Sequence, residues 1–297
     1  LMNLEGFRPG ELAGEGLELE DRWILSRLAR QISGLRRNLD NYDFNLAADG
    51  LYAFIWHDFC DWYLEMVKPR LYGEEKERKQ LAQEVLHRVL VDTLKMLHPF
   101  IPYITEEIWQ LLPHKEAESV AIAPFPKPKR EWIDPEVERK MATLQQLISA
   151  IRTIRSEMNI PRQRRARALI RASDQGIEEL VQESRVFFRE LAGVYEFEVG
   201  RDVERPERAP RVILEGAEVF LPLEGLIDVA KERVRLAREL EEARRALASS
   251  LRKLEDERFL KRAPQEIVEK EQAKAEELRE RAERLKKNLQ ILGADEQ

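Results

Sequence analysis

The chain is nearly without cysteine. A single Cys60 among 297 residues excludes an intrachain disulfide, cannot supply a zinc cage alone, and suits a reducing compartment, so a cytoplasmic protein is expected. Long apolar runs are missing as well. None reaches the roughly 20 residues that span a bilayer, and the opening LMNLEGF lacks a charged segment with an apolar core behind it, so neither a membrane span nor a leader is predicted. Histidine is scarce: His57, His87, His98 and His114 stand at no metal-ligand spacing to one another or to the cysteine, and no metal site is predicted. No glycine-rich phosphate loop follows a strand and no nucleophile has a base nearby, so no catalytic residue is predicted. Excess positive charge is also absent. With 50 Lys+Arg against 56 Asp+Glu the net charge is -6, so any hold on nucleic acid must come from local patches.

What the chain does have is helical periodicity. After a lead-in at 1–17, Leu25, Leu28, Ile32, Leu35 and Leu39 step by three and four, which predicts an amphipathic helix over 18–39. Leu51, Phe54, Ile55, Phe59, Trp62, Tyr63, Met66 and Val67 give a second helix over 44–67, its wide aromatic face expected to be buried, that Pro69 is expected to stop. Trp56, Trp62 and Trp109 are expected in the core. Leu86, Leu90, Leu94 and Leu97 give a third helix over 74–97, broken by Pro99 and Pro102 before a short fourth at 105–112. Short links predict a bundle, and the proline-rich stretch 113–130 reads as an extended strap that ends the first unit, 18–130.

Asp134 and Pro135 are placed to start a helix that runs to about Asn159. Alternation at Ala166, Ala168 and Ile170 and again at Tyr195, Phe197 and Val199, a helix near 177–191 and a hairpin through 212–223 predict a small α+β module, which with its leading helix fills 131–223. In 224–297 the pattern becomes heptads: Leu236, Leu240, Ala243, Leu247, Ser250 and Leu254 form one seam, and Ala275, Leu278, Ala282, Leu285, Leu289 and Leu292 a second. Two such arms, each about 40 Å at 1.5 Å per residue, predict an antiparallel coiled-coil hairpin. The expected fold class is mainly α: a helical bundle, a small α+β module and a long hairpin.

Three patches are candidates for phosphate or bases. Between Ile151 and Arg171 seven arginines face one acid, Glu157; Arg152, Arg155, Arg162, Arg164, Arg165 and Arg167 suit bidentate phosphate contact, or a solvated face paired with acidic helices. Lys231, Arg238, Arg245 and Arg252 recur every seven residues opposite the seam, a straight stripe that suits an RNA backbone or solubility alone. Arg258, Lys261 and Arg262 add charge near the expected tip, beside Glu255, Asp256 and Glu257. Lys68 and Arg70, followed by Tyr72, put cations and an aromatic where the second helix ends, a combination that serves unstacked bases or the helix dipole. Arg30, Arg37 and Asn38, on the polar side of the first helix, are the next candidates.

DRWILSRL (21–28), DFNLAADGLYAFIWHDFCDWYLEMVKPRLY (43–72) and LHPFIPYITEEIWQLL (97–112) resemble the anticodon-binding bundle of class I aminoacyl-tRNA synthetases for branched aliphatic amino acids. PLEGLIDVAKERVRLARELE (222–241) and KLEDERFLKRAPQEIVEKEQAK (253–274) resemble the terminal coiled coil of the valyl-tRNA synthetases, as do MNLEGF and IRTIRSEMNIP (151–161). The resemblance implies an anticodon loop on the bundle, a coiled coil against the outer corner of tRNA(Val), and no DNA or membrane partner. It also implies a parent ligase that joins valine to tRNA(Val) with ATP on a catalytic body N-terminal to this part. Neither HIGH nor KMSKS, which carry that chemistry in the family, occurs here. The chain therefore reads as a part cut after the catalytic body, with no activity and no cofactor of its own. A structural coiled-coil protein that recruits a partner helix is the competing reading.

Overall fold

The structure, a computed structural model, describes residues 4, 7–10, 16–113, 115–206, 209–256, 259 and 263–293. The chain divides into two compact units, Leu1–Gln145 and Gln146–Gln297. Arg258, Lys261, Arg262 and His114 lie outside the described residues.

In the first unit, helix α1 (Leu19–Asp40) starts in a reciprocal cap in which the Glu18 amide donates to Asp21 and the Glu18 side chain accepts in return. Its apolar stripe, Leu25, Leu28, Ile32 and Leu35, is fully buried and packs on the next two helices. Helix α2 is one rod in three stretches: Phe44–Tyr52, a π-helical Ala53–Tyr63, and Leu64–Leu71. The wider turns are visible where the Leu64 amide donates to Phe59, five residues back. They bury Phe54, Phe59 and Tyr63, at steps of five and four, and leave Trp56 54% exposed. The expectation that Trp56 lies in the core is thus corrected, because a 3.6-residue period does not describe this stretch. Trp62 is half-buried and Trp109 fully buried.

Pro69 does not stop α2, contrary to expectation. It sits in the last turn, where only one main-chain bond is missing, and the following Arg70 is anchored from α1 by two bonds to Asp21, at 2.6 and 2.9 Å. Helix α3 (Lys76–Leu97) follows. It ends at Leu97, ahead of Pro99 and Pro102, and helix α4 (Pro102–Gln110) starts at Pro102, earlier than the expected 105, since a first-position proline forgoes no bond. Val91, Leu94, Trp109, Leu112 and Val120 close a core there, under a strap with short 3-10 turns at Val120–Ile122 and Arg130–Trp132.

Helix α5 (Pro135–Glu157) is capped by Asp134, which accepts from the Val137 amide at 3.1 Å. In the second unit, strands β1 (Ala166–Ala172), β2 (Val194–Gly200), β3 (Arg211–Leu214) and β4 (Ala217–Phe220) form a sheet in the order β2-β1-β4-β3. β1 and β2 are parallel and the other pairs antiparallel. The crossover between β1 and β2 is two helices where one was expected, α6 (Gln175–Glu183) and α7 (Arg185–Ala192), divided at Ser184. Gly216, at φ 79°, makes the tight β3–β4 turn.

Helices α8 (Val229–Glu255) and α9 (Gln265–Ile291) pack along each other. Ion pairs from Arg281 to Glu239 at 3.9 Å and from Lys253 to Glu271 at 3.4 Å fix the arms as antiparallel. The seam buries Leu236, Leu240, Ala243 and Ser250 on one arm and Ala275, Ala282, Leu285 and Leu292 on the other. Among the described residues no helix is long and apolar enough to cross a membrane.

Candidate nucleic-acid interface

The six candidates in the first unit do not form one cluster. Arg70 ties the end of α2, the turn that carries Lys68 and Tyr72, to Asp21 at the start of α1. Arg37 and Asn38 lie 16 residues further along α1, about 24 Å away at 1.5 Å per residue. Arg30 lies between and donates to Glu138 at 2.6 Å. Lys68 and Tyr72 are exposed, with Lys68 paired to Glu65 at 2.5 Å.

Arg70 is 5% exposed, and Glu18, Glu20 and Asp21 all lie within 3.3 Å of its Nη1. Burial works against its charge, yet the bonds from Asp21 and the neighbouring carboxylates push its pKa up. Its position does not permit the surface role expected of it, because the guanidinium is spent inside the bundle. Burial, with the Asp21 charge beside it, pushes Glu20 up to about 8.

A cavity of about 300 Å³ opens on the same unit, lined by Pro9, Gly10, His87, Arg88, Lys115 and Glu116 among others. The Phe7 ring packs beside it, 5.6 Å from the imidazole of His87. An added Cβ on Gly10 would meet the Glu84 carboxylate at 3.0 Å, so the wall is close. Donors, acceptors and a ring plane around one opening are what an unstacked base requires. No candidate from the sequence lies here. The signals available were the His87-Arg88 pair on α3 and the Phe7-Arg8-Pro9-Gly10 stretch of the lead-in, neither of which has a periodicity to mark it.

In the second unit the arginine-rich segment sorts into two groups. Arg155 is buried and donates to the carbonyls of Pro161 at 2.6 Å and Arg164 at 3.0 Å, with its guanidinium against Gly193, whose φ of 65° ends α7. Burial, then the nearby Arg162, pushes its pKa down. Arg152 donates to Leu191 at 2.7 Å. Arg155 thus fastens the loop, and Arg152 the end of α7, to α5, and for Arg155 the exposed phosphate contact expected of it is corrected by its burial. Arg162, Arg164, Arg165 and Arg167 are exposed. Arg167 pairs with Glu198 on the next strand at 2.5 Å, and Arg165 lies 4.7 Å over the ring of Tyr195, a cation on an aromatic facing solvent.

On the hairpin, Lys231, Arg238, Arg245 and Arg252 are all exposed along α8, spanning about 32 Å at 1.5 Å per residue. Lys231, Arg238 and Arg245 face Asp228, Glu242 and Glu241 at 3.7, 3.6 and 2.9 Å. Exposed pairs of this kind are worth about 0–1 kcal/mol, so a phosphate can displace them.

Residues 21–170 match the family described as anticodon-binding domain of tRNA ligase, and residues 228–293 the family described as valyl tRNA synthetase tRNA binding arm. The chain is similar to the valine–tRNA ligase of Oceanobacillus iheyensis (38% identity, 98% of this chain, 33% of the relative). It is also similar to those of Carboxydothermus hydrogenoformans (42%, 92% and 31%) and Listeria monocytogenes (40%, 92% and 31%). The chain spans about a third of the length of these curated relatives.

Proposed function

We infer the function from one premise: the chain belongs to the anticodon-binding domain family of tRNA ligases. We propose that it is the tRNA-gripping part of a valine–tRNA ligase. The bundle at 18–130 takes the anticodon loop, the module at 131–223 meets the backbone, and the hairpin at 224–297 lies against the outer corner of tRNA(Val). The observation that carries this reading is the cavity beside Phe7, lined by His87, Arg88 and Lys115 together with Glu84 and Glu116, an opening with donors, acceptors and room for an unstacked base on the unit that holds most of the matched segment. Lys68 and Tyr72 on α2, and Arg37 and Asn38 on α1, are proposed as flanking contacts. Arg162, Arg164, Arg165 and Arg167 are proposed for the backbone, and Lys231, Arg238, Arg245 and Arg252 for the corner.

In this reading the parent joins valine to tRNA(Val) with ATP in the cytoplasm. The chemistry belongs to a catalytic body outside this chain, which holds neither HIGH nor KMSKS. The test is a gel-shift titration with tRNA(Val), a tRNA carrying another anticodon, and the isolated anticodon stem-loop, between 50 and 200 mM salt. The expected result is preference for the valine anticodon and an affinity that falls steeply with salt, by about 10³-fold or more if six phosphates are met. Equal binding of all tRNAs, or none, together with capture of a helical protein partner, would favour the coiled-coil adaptor instead.

A further inference from the structure

Residues 38–67 contain no lysine or arginine and six acids, Asp40, Asp43, Asp49, Asp58, Asp61 and Glu65. Nevertheless the α2 rod that they form turns large apolar groups to solvent. Tyr52 is 62% and Trp56 54% exposed, and their rings are parallel, 6.2 Å apart at 4°. Leu46 is exposed nearby in sequence, and Ala48 and Ala53 are small enough to keep the surface flat. The π-helical stretch sets this display, since it carries Phe54 inward and Trp56 outward.

Aromatics alone would suit stacked bases, but α2 brings carboxylates and no lysine or arginine of its own to this face. Asp49 and Asp61 are exposed, Asp61 pairs with His57 at 3.4 Å, and Asp58 is already held by Arg27 at 2.8 Å. Nucleic-acid binding draws most of its affinity from cations on phosphates, so this surface repels what the rest of the chain attracts. Protein interfaces, by contrast, concentrate Tyr and Trp at their centres.

We propose that this face of α2 docks against a protein surface of apolar side chains rimmed by lysine or arginine, supplied by the part of the ligase that this chain does not span. The relatives have the length for it, since the match takes in 33% of one and 31% of another. The proposal rests on the chain being part of a longer ligase, and not on the anticodon assignment.

The experiment is hydroxyl-radical footprinting of Tyr52 and Trp56 in the 297-residue chain and in a full-length ligase that carries it, each with and without tRNA. The ligase is either its own parent or the C. hydrogenoformans enzyme with the matched segment exchanged. Both side chains should react at least fivefold more slowly in the full-length protein before any tRNA is added. Unchanged reactivity there overturns the proposal, as does protection that appears only with tRNA, or protection of the chain alone that grows with its concentration. The double variant Tyr52→Ser/Trp56→Ser supplies a second measurement. In the isolated chain it should bind the anticodon stem-loop within twofold of the parent and melt no lower, while in the full-length ligase it should restore fast labelling of the opposing surface. A tenfold loss of stem-loop binding by a folded variant assigns the face to RNA and overturns the proposal. Loss of stem-loop binding by the unmodified chain would instead count against the anticodon reading.

Discussion

The guanidinium of Arg235, on α8, donates to the main-chain carbonyl of Glu157, the last residue of α5, at 3.1 Å. Asn288, on α9, reaches the carboxylate of the same residue at 3.4 Å. Both arms of the hairpin thus grip one helix end, where the final carbonyls lack intrahelical partners and a cation is favoured. Glu232 and Glu239 hold the guanidinium in place from the preceding and following turns of α8. A polar joint thus ties both arms of the hairpin to the end of α5.

Arg235→Met should leave the nearly buried Glu232 and the Glu157 carbonyl unpaired, at a cost of about 1–3 kcal/mol. The melting temperature should fall by several degrees with helical content retained. Distances measured by spin labels from the arm to the β-sheet should broaden. A single narrow distance, equal to that of the parent, would remove the joint from the account.

Arg70 and its neighbours Lys68 and Tyr72 should separate cleanly by mutation. Arg70→Met strands the carboxylate of Asp21, which accepts both of its bonds, in the interior, and breaking a buried pair this way costs about 3–5 kcal/mol. Lys68→Ala/Tyr72→Ala touches only exposed groups and should change stability within about 0.5 kcal/mol per site. It should nevertheless weaken binding of the anticodon stem-loop, with stacking worth about 1–3 kcal/mol per base. Denaturant melts and filter binding distinguish the two, and a double variant that binds like the parent would move recognition to the cavity beside His87.

Glu20 should make stability fall as pH rises. Its folded pKa, about 8, lies above the ordinary value of 4.5, so the native state holds a proton that the unfolded chain has already released between those values. The stabilisation is fully present below about pH 4.5 and is lost as pH rises through about 8. Glu20→Gln should flatten the melting temperature between pH 5 and 8.5, raising it most at the alkaline end. A profile parallel to that of the parent would show that Glu20 ionises normally.

The stripe on α8 should act through charge alone. Changing Lys231, Arg238, Arg245 and Arg252 to glutamine should lower the slope of log affinity against log salt by about 0.7–0.9 for each phosphate that is no longer neutralised. Preference for the valine anticodon should survive, since these side chains reach no base edge in this reading. An unaltered slope would leave the loop arginines 162–167 and the hairpin tip as the cationic contacts.

Most elements, and the mainly α class, were legible in the sequence alone. Apolar steps of three and four in α1 and α3, heptads in α8 and α9, and alternation in β1 and β2 are local consequences of side-chain direction along one backbone, so they can be read from neighbours a few positions apart. The sequence did not show which arginines are free. Arg70 and Arg155 look like surface cations because their partners are elsewhere: Asp21 lies 49 residues away from Arg70, and Gly193 lies 38 from Arg155. The cavity beside His87 likewise joins residues from the lead-in, α3 and the strap, which only folding brings together. The π-helical turn of α2 lay outside any 3.6-residue reading, and it moved Trp56 from the core to the surface. Local periodicity decides what an element is. Burial and pairing decide what each charge and ring on it can do, because they depend on which distant side chain arrives opposite.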